Sequence, residues 1–190
     1  PDGTSWKYDY NGNLSSGPGS YLLKSLTYPQ GGQISYDYGF VYFDAQANPS
    51  YKSSVVTRKT TNDGQWTYSY SPGDLSHLDT TTVSGPEGTT TYQHVGPNYA
   101  NSGSVWQVGL LMSKTIGTKQ RETYSWTKQK LSSESYFRPG QFVRKVDYGE
   151  TNAPLLSQKT ITRDGATYST TYSNFDDYGN PRQVAESGPN

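Results

Sequence analysis

The chain has 190 residues, of which only 31% are apolar, and its 16 basic residues balance 16 acidic ones. This neutral composition argues against a nucleic-acid-binding protein, which normally needs a basic face to neutralise phosphates, and no run of like charge suggests a membrane-surface patch. The absence of cysteine excludes disulfides and cysteine–zinc sites, and no stretch approaches the ~20 apolar residues that span a bilayer. Because aromatic residues reach 14%, whereas disordered chains are poor in them, we expect a folded protein that buries mainly tyrosine and tryptophan.

Short strands with two unlike faces are predicted along the chain. In the segment DGQWTYSYSPG (63–73), the rings of Trp66, Tyr68 and Tyr70 alternate with small polar residues. Alternation with period two is typical of a β-strand, and Asp-Gly is a strong hairpin signal because a type I′ turn needs positive φ at both central residues. Rough copies of this segment lie at 5–13, 32–39 and 121–127.

Glycine-containing turns divide the chain into hairpins. Opening turns are predicted at Asp2-Gly3, Gly31-Gly32, Asp63-Gly64, Glu87-Gly88, Gly117-Thr118, Pro139-Gly140 and Asp164-Gly165. Closing turns are predicted at Asn11-Gly12, Tyr38-Gly39, Pro72-Gly73, Gly96-Pro97, Tyr148-Gly149 and Tyr178-Gly179-Asn180. The best helical candidate, 127–135, is short and rich in serine. We therefore expect an all-β, mainly antiparallel sheet, organised over residues 1–190 as a single array of about seven hairpin units.

The repeated aromatic rows allow two interpretations. If the hairpins align in register, the rings stack side by side and hold neighbouring hairpins together, at roughly 0.2–1 kcal/mol for each cross-strand pair. Alternatively, some rings are exposed and stack on sugar rings or on an enclosed polypeptide. The candidate ligand-binding residues are Trp6, Tyr8, Tyr36, Trp66, Tyr68, Tyr124 and Trp126.

No catalytic residue, metal site or cofactor is predicted. His77 and His94 are the only histidines, too few for a zinc site unless carboxylates from distant hairpins converge. His94 is interpreted as a strand residue beside tyrosine on the ring-bearing face. Asp176 and Asp177 are adjacent in a predicted strand, so their side chains point to opposite faces and cannot flank one glycosidic bond. We expect Asp176 to accept backbone N–H groups in a turn instead.

Both ends of the chain carry a recognisable motif. The segment YDYNGNL (8–14) matches the YDxxGxL core of YD repeats, and FDDYGNP (175–181) is a close variant. Together with the spacing of the Asp-Gly turns, these motifs make the chain resemble the Rhs/YD-repeat family of large bacterial surface and secreted proteins. The middle copies, such as YDYG (36–39), are eroded.

The resemblance implies long antiparallel hairpins that lie side by side in a curved, open segment of a β-sheet shell. In bacterial toxins of this family the shell encloses a C-terminal toxic domain, animal relatives are adhesion proteins, and carbohydrate binding is also described. The chain contains no Asp-Pro dipeptide, so the self-cleaving core of toxin-releasing shells is not expected here. The chain itself is expected to be a piece of a longer protein.

The function expected from this resemblance is a non-catalytic structural, encapsulating or adhesive segment of a large secreted or cell-surface protein. The implied partners are flanking YD repeats, an enclosed C-terminal toxin domain of the parent chain, and cell-surface glycans, with no nucleic acid and no membrane insertion. The alternative is a carbohydrate-binding module that uses exposed tryptophan and tyrosine rows.

Overall fold

The computed structural model describes residues 5–15, 17–43, 52–100, 104–132 and 151–189. These residues form one open antiparallel sheet in which twelve strands follow one another in chain order, so the predicted all-β architecture is confirmed. The strands are β1 (Lys7–Tyr10), β2 (Leu23–Thr27), β3 (Gln33–Val41), β4 (Ser53–Thr61), β5 (Gly64–Ser71), β6 (Asp79–Gly85), β7 (Gly88–His94), β8 (Leu111–Ile116), β9 (Gln120–Ser132), β10 (Thr151–Arg163), β11 (Ala166–Phe175) and β12 (Pro181–Ser187). A single 3-10 turn, Val105–Gln107, precedes β8, and none of the described residues form a helix that could cross a membrane.

The opening turns among the described residues join strands as predicted, but with different backbone geometries. Asp164 and Gly165 connect β10 to β11 with φ values of 51° and 79°, as a type I′ turn requires. In the β4–β5 turn, by contrast, Thr61 pairs with Gly64, so the two loop residues are Asn62 and Asp63. Neither of these has positive φ, and the prediction of a type I′ turn centred on Asp63-Gly64 is therefore wrong.

One predicted closing turn is also wrong. Tyr38-Gly39 lies inside β3, where Gly39 pairs with Val55 and the ladder to β4 continues to the Val41–Ser53 pair. The strand continues because a glycine without positive φ is compatible with extended backbone. The turns predicted at 2–3, 139–140 and 148–149 lie outside the described residues, as does part of the helical candidate 127–135, whose residues 127–132 belong to β9.

Very little of the described chain is fully buried. Val95 and Ala100 are its two buried apolar residues, at 2% and 1% exposure. They lie in the connection between β7 and β8, where Val95 exchanges backbone hydrogen bonds with Leu110 and Gly109. Asn98 of the same connection donates to the carbonyls of Phe43 and Gly73, at 2.8 and 3.0 Å, and so ties together three loops at one end of the sheet. Elsewhere the described residues form a single layer of strands.

Candidate binding surface

The strand register sorts the side chains onto two chemically different faces. Directly paired residues of neighbouring strands point to the same side of a sheet. One continuous cross-strand row consists of Tyr70, Thr81, Tyr92, Lys114, Glu122, Ile161 and Tyr168. The adjacent row on the other side consists of Ser69, Thr82, Thr91, Thr115, Arg121, Thr162 and Thr167. We call the side that carries Tyr70 the ring face and the opposite side the polar face.

All seven predicted ligand-binding residues lie on the ring face. Tyr36 and Trp66 both pair with Lys59, and Tyr8 reaches the same side through its pairing with Leu26. Trp6 and Tyr8 are 53% and 57% exposed, whereas the other five are half-buried (Tyr36, Trp66, Tyr68, Tyr124 and Trp126). The structure thus brings the predicted residues to one surface, but ligand binding by them remains a prediction.

The ring rows do not stack on one another as expected. In the described part of the chain, rings meet at Trp6 and Tyr28 (centroids 4.9 Å apart) and at Phe43 and Tyr70 (6.4 Å). The reason is that a return strand without large rings separates each aromatic strand from the next. Lysines of these return strands take the neighbouring positions instead: Lys59 lies 5.1 Å from the centroid of Trp66, Lys114 6.0 Å from that of Tyr92, and Lys159 5.6 Å from that of Tyr124.

In three aromatic strands, one ring donates a hydrogen bond to a backbone carbonyl of the preceding strand. Tyr38 Oη donates to Leu23 (2.6 Å), Tyr70 Oη to Val56 (2.8 Å) and Trp126 Nε1 to Leu111 (2.8 Å). In each hairpin the ladder ends two residues before this carbonyl is reached, at the pairs Ser25–Ser35, Arg58–Thr67 and Ser113–Thr123. The polar tip of the ring therefore satisfies a carbonyl that the ladder leaves unpaired.

Trp66 is held from both sides. On one side it pairs with Lys59, and on the other its indole covers Gly85 so closely that a Cβ atom at that glycine would collide with the ring. Tyr38 covers Gly19 in the same manner. An aromatic ring that lies over a glycine compensates for the missing side chain in a sheet, which explains why these rings are half-buried although no second layer of structure covers them.

A charged cluster interrupts the ring face at Glu122, which is 6% exposed. Its carboxylate accepts hydrogen bonds from Tyr124 Oη (2.6 Å) and Gln120 Nε2 (2.7 Å). Lys159 Nζ lies 2.9 Å from one carboxylate oxygen, and Lys114 Nζ lies 4.0 Å from the other. The cluster links β8, β9 and β10, because Lys114 and Lys159 come from the two strands that flank Glu122.

The electrostatics of this cluster favour the ionised carboxylate. Burial by itself raises the pKa of Glu122, but the hydrogen bonds from Tyr124, Lys159 and Gln120 outweigh it and lower the pKa to about 2. Burial and the bond to Glu122 together raise the pKa of Tyr124 to about 12. At neutral pH Glu122 is therefore a carboxylate and Tyr124 a neutral phenol.

Sequence reasoning missed this cluster, although a signal was present. When RETYSW (121–126) is aligned with QWTYSY (65–70) on the shared Thr-Tyr-Ser, Glu122 occupies the position of Trp66. A carboxylate at a position where the repeat carries a ring is a break in the pattern. The lysine-threonine pairs Lys59-Thr60, Lys114-Thr115 and Lys159-Thr160 recur in the return segments. The lysines of the second and third pairs supply its counter-charges.

A second buried carboxylate, that of Asp79, lies beside Gly73 in the loops at one end of the sheet. Asp79 is 8% exposed, accepts the backbone N–H of Gly73 at 2.6 Å and pairs across the sheet with His94. Burial raises the pKa of Asp79 and lowers that of His94, although their opposite charges counteract both shifts. His94 lies on the ring face next to Tyr92, as expected. Within the described ranges no three His, Cys, Asp or Glu residues converge as metal ligands.

The two YD motifs use their aspartates differently. Asp176 Oδ1 accepts the backbone N–H groups of Tyr178 and Asn180, both at 2.9 Å, and these bonds lower its pKa, the one from Asn180 most strongly. This confirms the role predicted for Asp176. In the first motif Asp9 is instead paired with Lys24 at 3.3 Å.

An open groove of about 390 Å³ lies beside the second YD turn. It is lined by Pro154, Leu155, Leu156, Tyr172, Phe175, Gly179 and Pro181. The residues that line it carry no charge. A Cβ atom at Gly179 would lie only 2.8 Å from a methyl carbon of Leu155. The glycine of the motif thus allows the turn to pack against β10.

The sequence matches no protein-family model and no curated protein. The resemblance to YD repeats consequently depends on the motif residues and the turn spacing alone.

Proposed function

We propose that this chain is a non-catalytic stretch of β-sheet wall in a larger secreted or cell-surface protein of the YD-repeat type, and that its ring face covers a polypeptide. The observation that carries the proposal is that the polar atoms of three rings donate hydrogen bonds within the sheet. The polar atoms of Tyr38, Tyr70 and Trp126, which a sugar-binding site would direct at ligand hydroxyls, are bonded to backbone carbonyls within the sheet.

The half-open ring face supports the second part of the proposal. Tyrosine and tryptophan are enriched at protein interfaces because they combine an apolar body with a polar tip. The polar face, lined by serine and threonine, is suited to solvent. A sheet with this difference between its faces fits a wall that has an inside and an outside.

A carbohydrate-binding role is the second candidate, and the first strand favours it. Trp6, Tyr8 and Tyr10 are each more than half exposed and share the ring face. The Trp6 ring meets only the edge of Tyr28, at an interplanar angle of 70°. These three rings are the best platform for a sugar among the described residues.

One titration separates the two candidates. The folded chain is titrated with a permanently unfolded model polypeptide and, in parallel, with a panel of oligosaccharides, while tryptophan fluorescence is recorded. The wall proposal predicts a saturable change with the polypeptide that is weakened in Trp66→Ala, and no glycan response. A glycan response that is lost in Trp6→Ala and retained in Trp66→Ala would instead identify a carbohydrate-binding module.

A further inference from the structure

We propose that Lys114 and Lys159 form a subsite for a carboxylate side chain of the polypeptide that lies on the ring face. This inference depends on the proposed function, because it names a chemical group of the partner that the ring face would cover. It concerns a position at which the sequence predicts no binding residue.

The charges of the cluster do not balance. Two ammonium groups, from Lys114 and Lys159, surround the single carboxylate of Glu122 and leave one excess positive charge. This charge lies on an aromatic surface, in a chain whose net charge is zero. The side chains of both lysines are about two-thirds buried, with 29% and 32% of their surface exposed, so water solvates the excess charge only in part.

Of the two lysines, Lys114 has the larger unused hydrogen-bonding capacity. Its Nζ atom lies 4.0 Å from Glu122, beyond hydrogen-bonding distance, and it donates no hydrogen bond to a described residue. Lys159, at 2.9 Å, already donates to Glu122. A partly buried ammonium group without a hydrogen-bond acceptor is costly, and an incoming carboxylate would supply the acceptor and cancel the excess charge.

The surroundings favour an acidic side chain with apolar neighbours. Each lysine lies beside a ring, Lys114 beside Tyr92 and Lys159 beside Tyr124. In an extended segment the side chains at alternate positions point to the same side. A glutamate or aspartate flanked at alternate positions by apolar residues would therefore place its carboxylate at the lysines and its neighbours on the rings.

The test compares two labelled peptides of about fifteen residues, long enough when extended (~50 Å) to cross about ten strands. Both alternate leucine and threonine and differ only at the centre, where one carries glutamate and the other glutamine. Binding to the intact chain is measured by fluorescence anisotropy at low and at high salt. Because a hydrogen bond between charged groups is worth roughly a tenfold or larger change in affinity, we expect the glutamate peptide to bind about tenfold more tightly, with the preference reduced at high salt.

The variants locate the preference. Lys114→Met is expected to abolish it, Lys114→Arg to retain most of it, and Lys24→Met to leave it unchanged. Lys24 is the matched control, since it also lies beside a carboxylate, that of Asp9, but in the first hairpin and with a side chain that is 60% exposed. If Lys114→Met does not fold, the salt dependence with the unaltered chain decides the question.

The outcomes distinguish failure of the proposed lysine subsite from failure of the proposed function as a sheet wall. Equal, salt-independent binding of both peptides would overturn the subsite and leave the proposed function standing. If neither peptide binds, both proposals fail. A uronic-acid disaccharide that binds through Lys114 when the glutamate peptide does not would also overturn the inference, and would support the carbohydrate-binding alternative.

Discussion

The hydroxyl group of Tyr70 is expected to stabilise the sheet although its ring lies on a half-open surface. Tyr70→Phe keeps the ring and leaves the Val56 carbonyl without its 2.8 Å donor. We expect a loss of about 1 kcal/mol in the free energy of unfolding, measured by urea denaturation. Tyr8→Phe is the control, because Tyr8 is 57% exposed and should change stability little. Equal effects of the two substitutions would contradict the role assigned to the ring tips.

Protonation of Glu122 should make the free energy of unfolding depend on pH in the acid range. Its pKa in the folded chain, about 2, lies below its ordinary value of 4.5, so the stabilisation is complete above pH ~4.5 and is lost as the pH falls towards 2. We expect Glu122→Gln to cost at most about 3 kcal/mol at neutral pH and progressively less below pH 4.5. Urea denaturation of both proteins from pH 2 to pH 7 tests this, and a difference that stays constant with pH would exclude it.

At the scale of the hairpin, glycines with positive φ in the turns contribute to stability. Gly165 has a φ of 79° and no atom near the position of a Cβ, so Gly165→Ala introduces backbone strain without a collision. We expect it to destabilise the chain by about 1–2 kcal/mol. Gly12 has equally open surroundings and lacks positive φ, so Gly12→Ala is the matched control and should have little effect. Thermal unfolding of the two variants measures the difference.

Hairpin signals in the sequence predicted which segments pair, but not how each turn is built. Asp63-Gly64 and Asp164-Gly165 have the same two residues, yet only the second pair forms the loop itself. The register of the flanking strands decides this, because a shift by one position moves the dipeptide from the loop into the ladder. The turn predicted at Tyr38-Gly39 is wrong because the sequence alone does not distinguish a glycine in a strand from a glycine in a turn.

For the whole molecule, the consecutive strand order predicts that perturbations remain local. Each strand contacts its sequence neighbours, and in such arrays stability is approximately a sum of local and nearest-neighbour terms. Hydrogen exchange in Tyr70→Phe should therefore accelerate in β4, β5 and β6 and change little in β11 and β12. A uniform acceleration across the sheet would show instead that the twelve strands unfold as one cooperative unit.

The sequence by itself determined the strands, most of the turns and the two unlike faces. Alternation of side chains and the preference of glycine for positive φ are local properties of the chain, and alternation placed the rings of each strand on one side of that strand. The preference of aspartate for turns predicted the role of Asp176 that the turn geometry confirms.

Only the tertiary structure decided which side chains meet across strands. Ring-on-ring stacking was expected, but the return strands set lysines beside the rings. The environment of Glu122 likewise depends on the registers of β8 and β10 against β9, which bring Lys114 and Lys159 to the same carboxylate. Contacts of this kind join residues far apart in the chain, so their geometry follows from the pairing of whole strands and not from any local pattern.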